Sequence, residues 1–429
     1  MAIVFWGLHA AALVGMYRIP LWTISWNTRL LCFASWQLAI FGVTIGYHRL
    51  WSHRSFTAKK PLRFLLAMMG TLGFQGSIKW WCARHRLHHR YTDDPENDPY
   101  SATKGLYFSH MGWLFRKPTY TRLPLVDRSD LDRDPVVQFQ HKYYVPLTLV
   151  LCFALPSVIA CIWGDPWGGL VWGGAVARVM ILHTTFVVNS FAHWEGLQLY
   201  SDEVTAKGNF LMAMLTGGEG NHNYHVPDST CPPHAFPYDY RAGPNKWDWD
   251  PSKWIIQSLH RYTSLVTSMK TATKEDVAAA LSFMSNRHHH PNGHEIFVGG
   301  DGIEDDDQGP TDIWDEEQIR HYVDENRRQV VFISQWVVDV TDYLSKHPGG
   351  YAVLQPYILR ARPLVTSEDT DATKITKQDL TQAEKTPASP LKDASWAFGG
   401  GLNNHSRGAR NTMRKYRIAH LDSSIKLIS

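Results

Sequence analysis

The chain has 429 residues, enough for two or three domains. Its formal charge is only +3, with no Lys/Arg tract interleaved with aromatics, which argues against nucleic acid as a partner. Hydrophobic residues make up 44% and aromatics 13%, including 18 Trp, yet the mean hydropathy is −0.27 because the apolar residues crowd into the first half. The five cysteines, Cys32, Cys82, Cys152, Cys161 and Cys231, form no CxxC pair, so neither a disulfide framework nor a thiolate zinc site is indicated. The anomaly is the 22 histidines.

A helix needs roughly 20 apolar residues to cross the hydrocarbon core of a bilayer. Four stretches approach that length: 2–16, 29–47, 144–163 and 168–191. The first begins at Met1 with no basic leader and no small-residue cleavage site, so it reads as a clipped membrane helix rather than a signal peptide. A fifth stretch, 61–78, is interrupted by Gly70, Gly73 and Gly76 and flanked by charge and histidine, which predicts a helix lying at the interface. An even number of spans places both termini and the polar parts on one side, and their Arg and Lys content assigns that side to the cytoplasm. Residues 266–311 read as a polar linker, its histidine run 288–290 being a solvated tract and its acidic run 304–307 likewise. Beyond it, 329–333 and 336–340 read as short strands and 341–344 as a helical turn, the start of a small α+β domain from 312.

The histidines cluster where the apolar stretches end. His48-Arg-Leu-Trp-Ser-His53 closes the second, and His85-Arg-Leu-His88-His89 follows the interfacial segment. His193 ends the fourth, with His222 and His225 some thirty residues further on. Helix positions i, i+3 and i+4 share a face, so the second cluster can aim three imidazoles at one point. His48 and His53 stand about 140° apart on an α-helix, which suits a frayed helix end better than its middle. One zinc takes four ligands and leaves about half of these imidazoles unexplained, whereas two irons could use eight or nine.

At these residues the chain resembles the membrane acyl-CoA Δ9 desaturases, the stearoyl-CoA desaturase family in its fungal form. HRLWSH, HRLHH, the NSxAH segment Asn189–His193 and HNYH ending at His225 carry the resemblance, which covers most of 1–265. It implies a mainly α fold, a four-helix transmembrane bundle under a cytosolic helical di-iron cap. It further implies His48, His53, His85, His88, His89, His193, His222 and His225 as ligands of two non-haem irons, with Asn189 acting through a bound water. The activity implied is insertion of a cis double bond into a saturated fatty acyl-CoA, stearoyl or palmitoyl, with O2 as co-substrate. Unactivated methylenes offer no polar handle, so position must come from tunnel shape, with the head group anchored outside. The resemblance places Gln75 and Trp81 near the tunnel mouth and Arg116 with Lys117 at the CoA phosphates. Where the family has Arg two residues before the second motif, this chain has Ala83, with Arg84 beside His85. His110 also matches the family and reads as structural, and His183 and Arg178 inside the fourth span read as buried polar contacts.

Two interruptions depart from the family. Removing 226–233 would restore HNYHHAFPYDYR, so the ninth ligand, His234, is displaced along the chain. Either a genuine loop returns His234 to the metals or the eight residues are an unspliced segment; their three prolines and stray cysteine favour the second. Residues 312–422 resemble cytochrome b5, with His347-Pro-Gly-Gly and His405 as the implied axial ligands of haem b. A polar insertion, 361–391, without hydrophobic periodicity stands between them. A tethered haem donor has a high effective concentration at the di-iron site. Electrons then come from NAD(P)H through a cytochrome b5 reductase, and the expected location is the endoplasmic reticulum membrane, multi-pass, with catalytic and haem domains cytosolic. The competing readings are a di-iron lipid hydroxylase, a desaturase of another lipid, and a non-catalytic haem electron carrier.

Overall fold

The computed structural model describes residues 2–116, 119–202, 204–225, 236–288, 310–344, 354–361, 391–398 and 413–428. The chain is mainly helical and divides into two compact units, Met1–His294 and Glu295–Ser429.

In the first unit, α1 (Ala2–Arg18) is apolar but has 17 residues, about 25 Å, short of a hydrocarbon core of about 30 Å. α2 (Trp26–Ser52) is long and apolar enough to cross a membrane. Ser25 caps its start, accepting from Thr28 N at 3.1 Å, and its outward face leaves Trp26, Phe33 and Leu38 exposed. From Gly42 to Ser52 the helix winds as a π-helix. α3 (Lys60–Thr71) crosses it closely: a Cβ on Gly42 would overlap the Met69–Gly70 backbone, and one on Gly70 would overlap the Tyr47 ring. The interfacial helix expected over 61–78 therefore stops at Thr71. Phe74 and Gly76, both at positive φ, turn the chain into α4 (Ile78–Arg90), which Ser77 caps.

α5 (Tyr144–Trp163) and α6 (Pro166–His193) are also long and apolar enough to cross a membrane, which makes three such helices among the described residues where the sequence suggested four spans. α1 packs along the start of α6, with Val171 against Gly15 and Trp172 Nε1 donating to Ile19 O at 2.9 Å.

Strand β1 (Phe56–Ala58) pairs antiparallel with β2 (Val266–Met269). α7 (Pro251–Tyr262) precedes β2, and α8 (Lys274–His288) follows it. Residues 266–288, expected as the beginning of the linker, thus belong to the first unit. The reason is the apolar run from Val277, which packs Ala280 and Val277 against Tyr200, Tyr224 and Phe236.

The second unit holds a five-stranded sheet in the order β3-β7-β5-β4-β6, from β3 (Ile313–Trp314), β4 (Gln329–Ile333), β5 (Trp336–Asp339), β6 (Leu359–Arg360) and β7 (Arg417–Leu421). Ser334 and Gln335, at φ 50° and 66°, form the two-residue turn that lets β4 and β5 pair as a hairpin. α9 (Glu316–Asn326) starts with a capping box between Asp315 and Gln318 and buries Ile319 and Val323 against Val330, Phe332 and Val337. His347 and His405 lie outside the described residues.

Candidate metal centre

The π-helical end of α2 explains the first histidine pair. His53 N donates to His48 O at 3.0 Å, an i→i+5 bond whose wider turn returns residue 53 to the side of residue 48. The ring centroids lie 4.7 Å apart. A regular π-helix, not a frayed α-helical end, brings these two together.

α4 supplies three more. His85 and His89 turn towards the α2 pair, and the short turn His222–His225 adds His225, so that His48, His53, His85, His89 and His225 form one group. His88 joins His193 at the end of α6 and His222 in a second group. Within each group one ring nitrogen per residue lies within 4.8 Å of the others. Seven of the eight rings are buried and His53 is half-buried. All eight histidines singled out by the motifs and described here are thus in one of two adjoining groups. Asn189 lies four residues before His193 and lines the neighbouring cleft; His234 lies outside the described residues.

Their electrostatics suit a metal. His53 Nε2 faces His85 Nε2 at 2.8 Å and His225 Nε2 at 3.1 Å, and His222 Nε2 faces His193 Nε2 at 3.2 Å. Neither ring nitrogen of buried His89 has a partner, nor has His222 Nδ1. Burial first, and then the neighbouring imidazoles, hold His53, His85, His89, His222 and His225 well below the usual histidine range. They are therefore neutral at physiological pH, with lone pairs available, and that is the form that binds a cation. Orphaned nitrogens converging in this way fit a pair of metal ions.

A layer of carboxylates behind the histidines fixes which nitrogen faces inward. Asp98 Oδ1 accepts from His88 Nδ1 at 2.8 Å. Burial disfavours the His88 cation, but Asp98 outweighs it and raises this group. Thr205 Oγ1 donates to Asp93 Oδ1 and so must accept from His193 Nδ1, both at 2.8 Å. Glu219 Oε1 lies 3.3 Å from His48 Nδ1, an ion-pair distance without hydrogen-bond alignment. Burial would raise the Glu219 carboxyl, yet His48 and Arg49 hold it down at about 2. Arg49, 2% exposed, grips Glu219 through Nε and Nη2 and Asp250 through Nη1. Asp93, Asp98, Thr205 and Glu219 were missed in the sequence; the signal available for the three acidic residues was their place beside histidine motifs, in TDDPEND and GGEGNHNYH, whereas Thr205, twelve residues after His193, carried none.

A cleft adjoins the first group, with His85 in its wall. Phe5, Leu114, Leu182 and Phe186 make it apolar. Gln75 donates to Thr185 Oγ1 at 2.7 Å and accepts from Trp81 Nε1 at 3.0 Å, so the two residues expected at a tunnel mouth are bonded to each other across the cleft wall. Arg84, 4% exposed, also lines the cleft. Its guanidinium lies 3.1 Å from the Trp80 ring centroid and 4.9 Å from that of Trp113, and neither Arg84 Nε nor Trp113 Nε1 has a hydrogen-bond partner. Arg116 is exposed and stacks on Phe108 at 5.3 Å, apart from the cleft lining; Lys117 lies outside the described residues. His110 and His183 bond to each other rather than to either metal group, and Arg178 donates to Ser35 Oγ at 2.7 Å.

Three of the described helices are long and apolar enough to cross a membrane, and two of them end at histidine groups that could hold metal ions, as in a membrane metalloprotein. The family follows from comparison. The fatty acid desaturase model matches residues 20–225. The chain is 33% identical over 428 residues to a protein named "Probable acyl-CoA desaturase" from Schizosaccharomyces pombe, covering 96% of this chain and 75% of the relative. Over 419 residues it is 33% identical to acyl-CoA desaturase 1 of Saccharomyces cerevisiae, covering 96% and 72%. Stearoyl-CoA desaturase 5 of Bos taurus is 37% identical over 277 residues, covering 63% of this chain and 79% of the relative. The chain belongs to the fatty acid desaturase family, which implies a di-iron centre and O2.

Proposed function

We propose that the protein is a membrane acyl-CoA Δ9 desaturase that places a cis double bond in stearoyl- or palmitoyl-CoA. The observation that carries this reading is the convergence of eight imidazoles in two adjoining groups beside an apolar cleft. His48, His53, His85, His89 and His225 would hold one iron. His88, His193 and His222 would hold the other, completed by His234 and by Asn189 through water. Two irons with O2 supply an oxidant strong enough to take hydrogen from an unactivated methylene. One saturated acyl chain, O2, two electrons and two protons yield one alkene and two waters.

The rest falls to this chain's own side chains. Phe5, Leu182 and Phe186 exclude water and hold the acyl chain by shape alone. The Trp81–Gln75–Thr185 bonds fix the wall beside His85, so that the methylenes meet the metals in one register. Arg84 Nε and Trp113 Nε1 are donors without acceptors, and oxygen atoms at the polar end of an acyl-CoA supply what they lack.

On this reading residues 1–288 carry the desaturase with α1 as a fourth span, and 312–422 form a cytochrome b5-like domain with His347 and His405 on haem b. The His347-Pro-Gly-Gly pattern supports the haem domain, as does a yeast match that spans 96% of the chain and so extends into residues 295–429. Electrons would pass from NAD(P)H through cytochrome b5 reductase, with the protein in the endoplasmic reticulum membrane and both domains cytosolic. The test is product analysis after feeding stearoyl-CoA to the purified full chain with reductase and NADH. Oleoyl-CoA is the expected product. A hydroxystearoyl product would reject the desaturase reading, and a protein with one haem and no non-haem iron would be an electron carrier.

A further inference from the structure

Behind the cleft wall lies a second set of histidines outside both metal groups. His9 of α1, His183 of α6 and His110 of the short helix Leu106–His110 join end to end. His9 Nδ1 is 2.8 Å from the Phe5 carbonyl, and His9 Nε2 is 3.0 Å from His183 Nε2. His183 Nδ1 is 3.0 Å from His110 Nε2, and His110 Nδ1 is 3.0 Å from the Ser190 hydroxyl.

Proton bookkeeping fixes the two ends of this chain. A carbonyl only accepts, so His9 donates from Nδ1 and its Nε2 can only accept. At the other end the Ser190 hydroxyl donates to Phe186 O at 2.8 Å, so it accepts from His110 Nδ1. Three neutral imidazoles carry three protons for these four links, so one ring-to-ring contact holds by packing alone, while all six ring nitrogens face a partner within the set. The set is a clamp that ties α1 to α6.

What it clamps is a wall of the cleft. The Phe5 ring lies on His9 with centroids 4.1 Å apart, while Phe186 lies 5.8 Å from His110 and 5.9 Å from His183. Phe5 and Phe186 both line the cleft, 6.4 Å from each other, and Val4 beside Phe5 lines it too. None of the three histidines lines it. We propose that His9, His110 and His183 are positioning residues that act through Phe5 to set the depth of the acyl cleft, and so the acyl chain length that the protein accepts.

The proposal rests on the acyl-CoA reading. Its test compares C16, C18 and C20 saturated acyl-CoA on the full chain in detergent, by turnover and by equilibrium binding. His183→Leu cuts the clamp in its middle. The expected result is a C20-to-C16 ratio of kcat/KM raised at least about fivefold, carried by KM, with non-haem iron unchanged. Phe5→Ala should give the same shift and the double variant no more than either, whereas His183→Gln, able to donate and accept, should restore most of the wild-type ratio. An unchanged ratio, additive single effects, or loss of iron in His183→Leu would overturn the proposal. If His183→Leu does not fold, His9→Leu cuts the same clamp at its α1 end, and a wild-type ratio there overturns it equally. A wild-type chain that turns over no acyl-CoA would defeat the functional reading instead, and the binding ratio would still decide whether the clamp sets cleft depth.

Discussion

His88 and Asp98 meet at 2.8 Å in the protein interior, and the carboxylate is itself held by the backbone N–H groups of Asp93 and Tyr100, each at 3.0 Å. A carboxylate fastened in this way keeps His88 Nδ1 protonated and leaves Nε2 for the group that contains His193 and His222.

Asp98→Asn removes the charge while nearly keeping the shape. Loss of such an outer-shell partner typically lowers metal affinity about 10–100-fold. The three-histidine group should empty first, so non-haem iron should fall towards about one per chain, measured on purified protein by plasma emission. Retention of the wild-type iron content would show that Asp98 does not orient a ligand.

Arg49 is the cation between Glu219 and Asp250, all three of them buried. Arg49→Met fills a similar volume but leaves two carboxylates uncompensated, and breaking a buried pair costs about 3–5 kcal/mol. A clear drop in thermal stability of the detergent-solubilised protein is expected, with iron loss following because Glu219 faces His48. A melting temperature within a degree of wild type would contradict this.

Arg84→Ala removes from the cleft wall a guanidinium whose Nε has no acceptor and should spare the metal groups. A hydrogen bond to a charged group contributes about 1.5–3 kcal/mol, so KM for stearoyl-CoA should rise by about tenfold or more while kcat changes little. If kcat fell and KM stayed constant, Arg84 would be acting on the metals through His85 rather than on the substrate.

Deleting 226–233 brings His234 directly after His225. Non-haem iron and turnover should both increase over the full-length chain. Equal iron occupancy and turnover in the two forms would mean that the eight residues are a working loop.

Where the fold was legible, short-range regularities carried it. Tyr144–Trp163 matches the expected 144–163, and the other two long apolar helices extend a few residues past 29–47 and 168–191, because hydropathy over some twenty residues is a local property. The spacing of His85, His88 and His89 likewise placed them together on one helix. The same reasoning missed α8, where the charged start Lys274-Glu275-Asp276 masked an apolar run that only its contacts with Tyr200, Tyr224 and Phe236 make structural.

Ligand chemistry, motif order and apolar helices could be read from the amino acids because each depends on residue type and near neighbours. The division of eight histidines into five and three could not, since it brings His53 against His225 across 172 positions and separates His88 from His89, adjacent in the chain. Nor could the π-helix that aligns His48 with His53, which stands where α3 crosses α2 too closely for a side chain on Gly42. The His9–His183–His110 clamp is of the same kind: its three members come from different elements, and their nitrogens meet only once α1 and the Leu106–His110 helix pack on α6. Convergence across such distances is decided by packing geometry, to which local periodicity is blind.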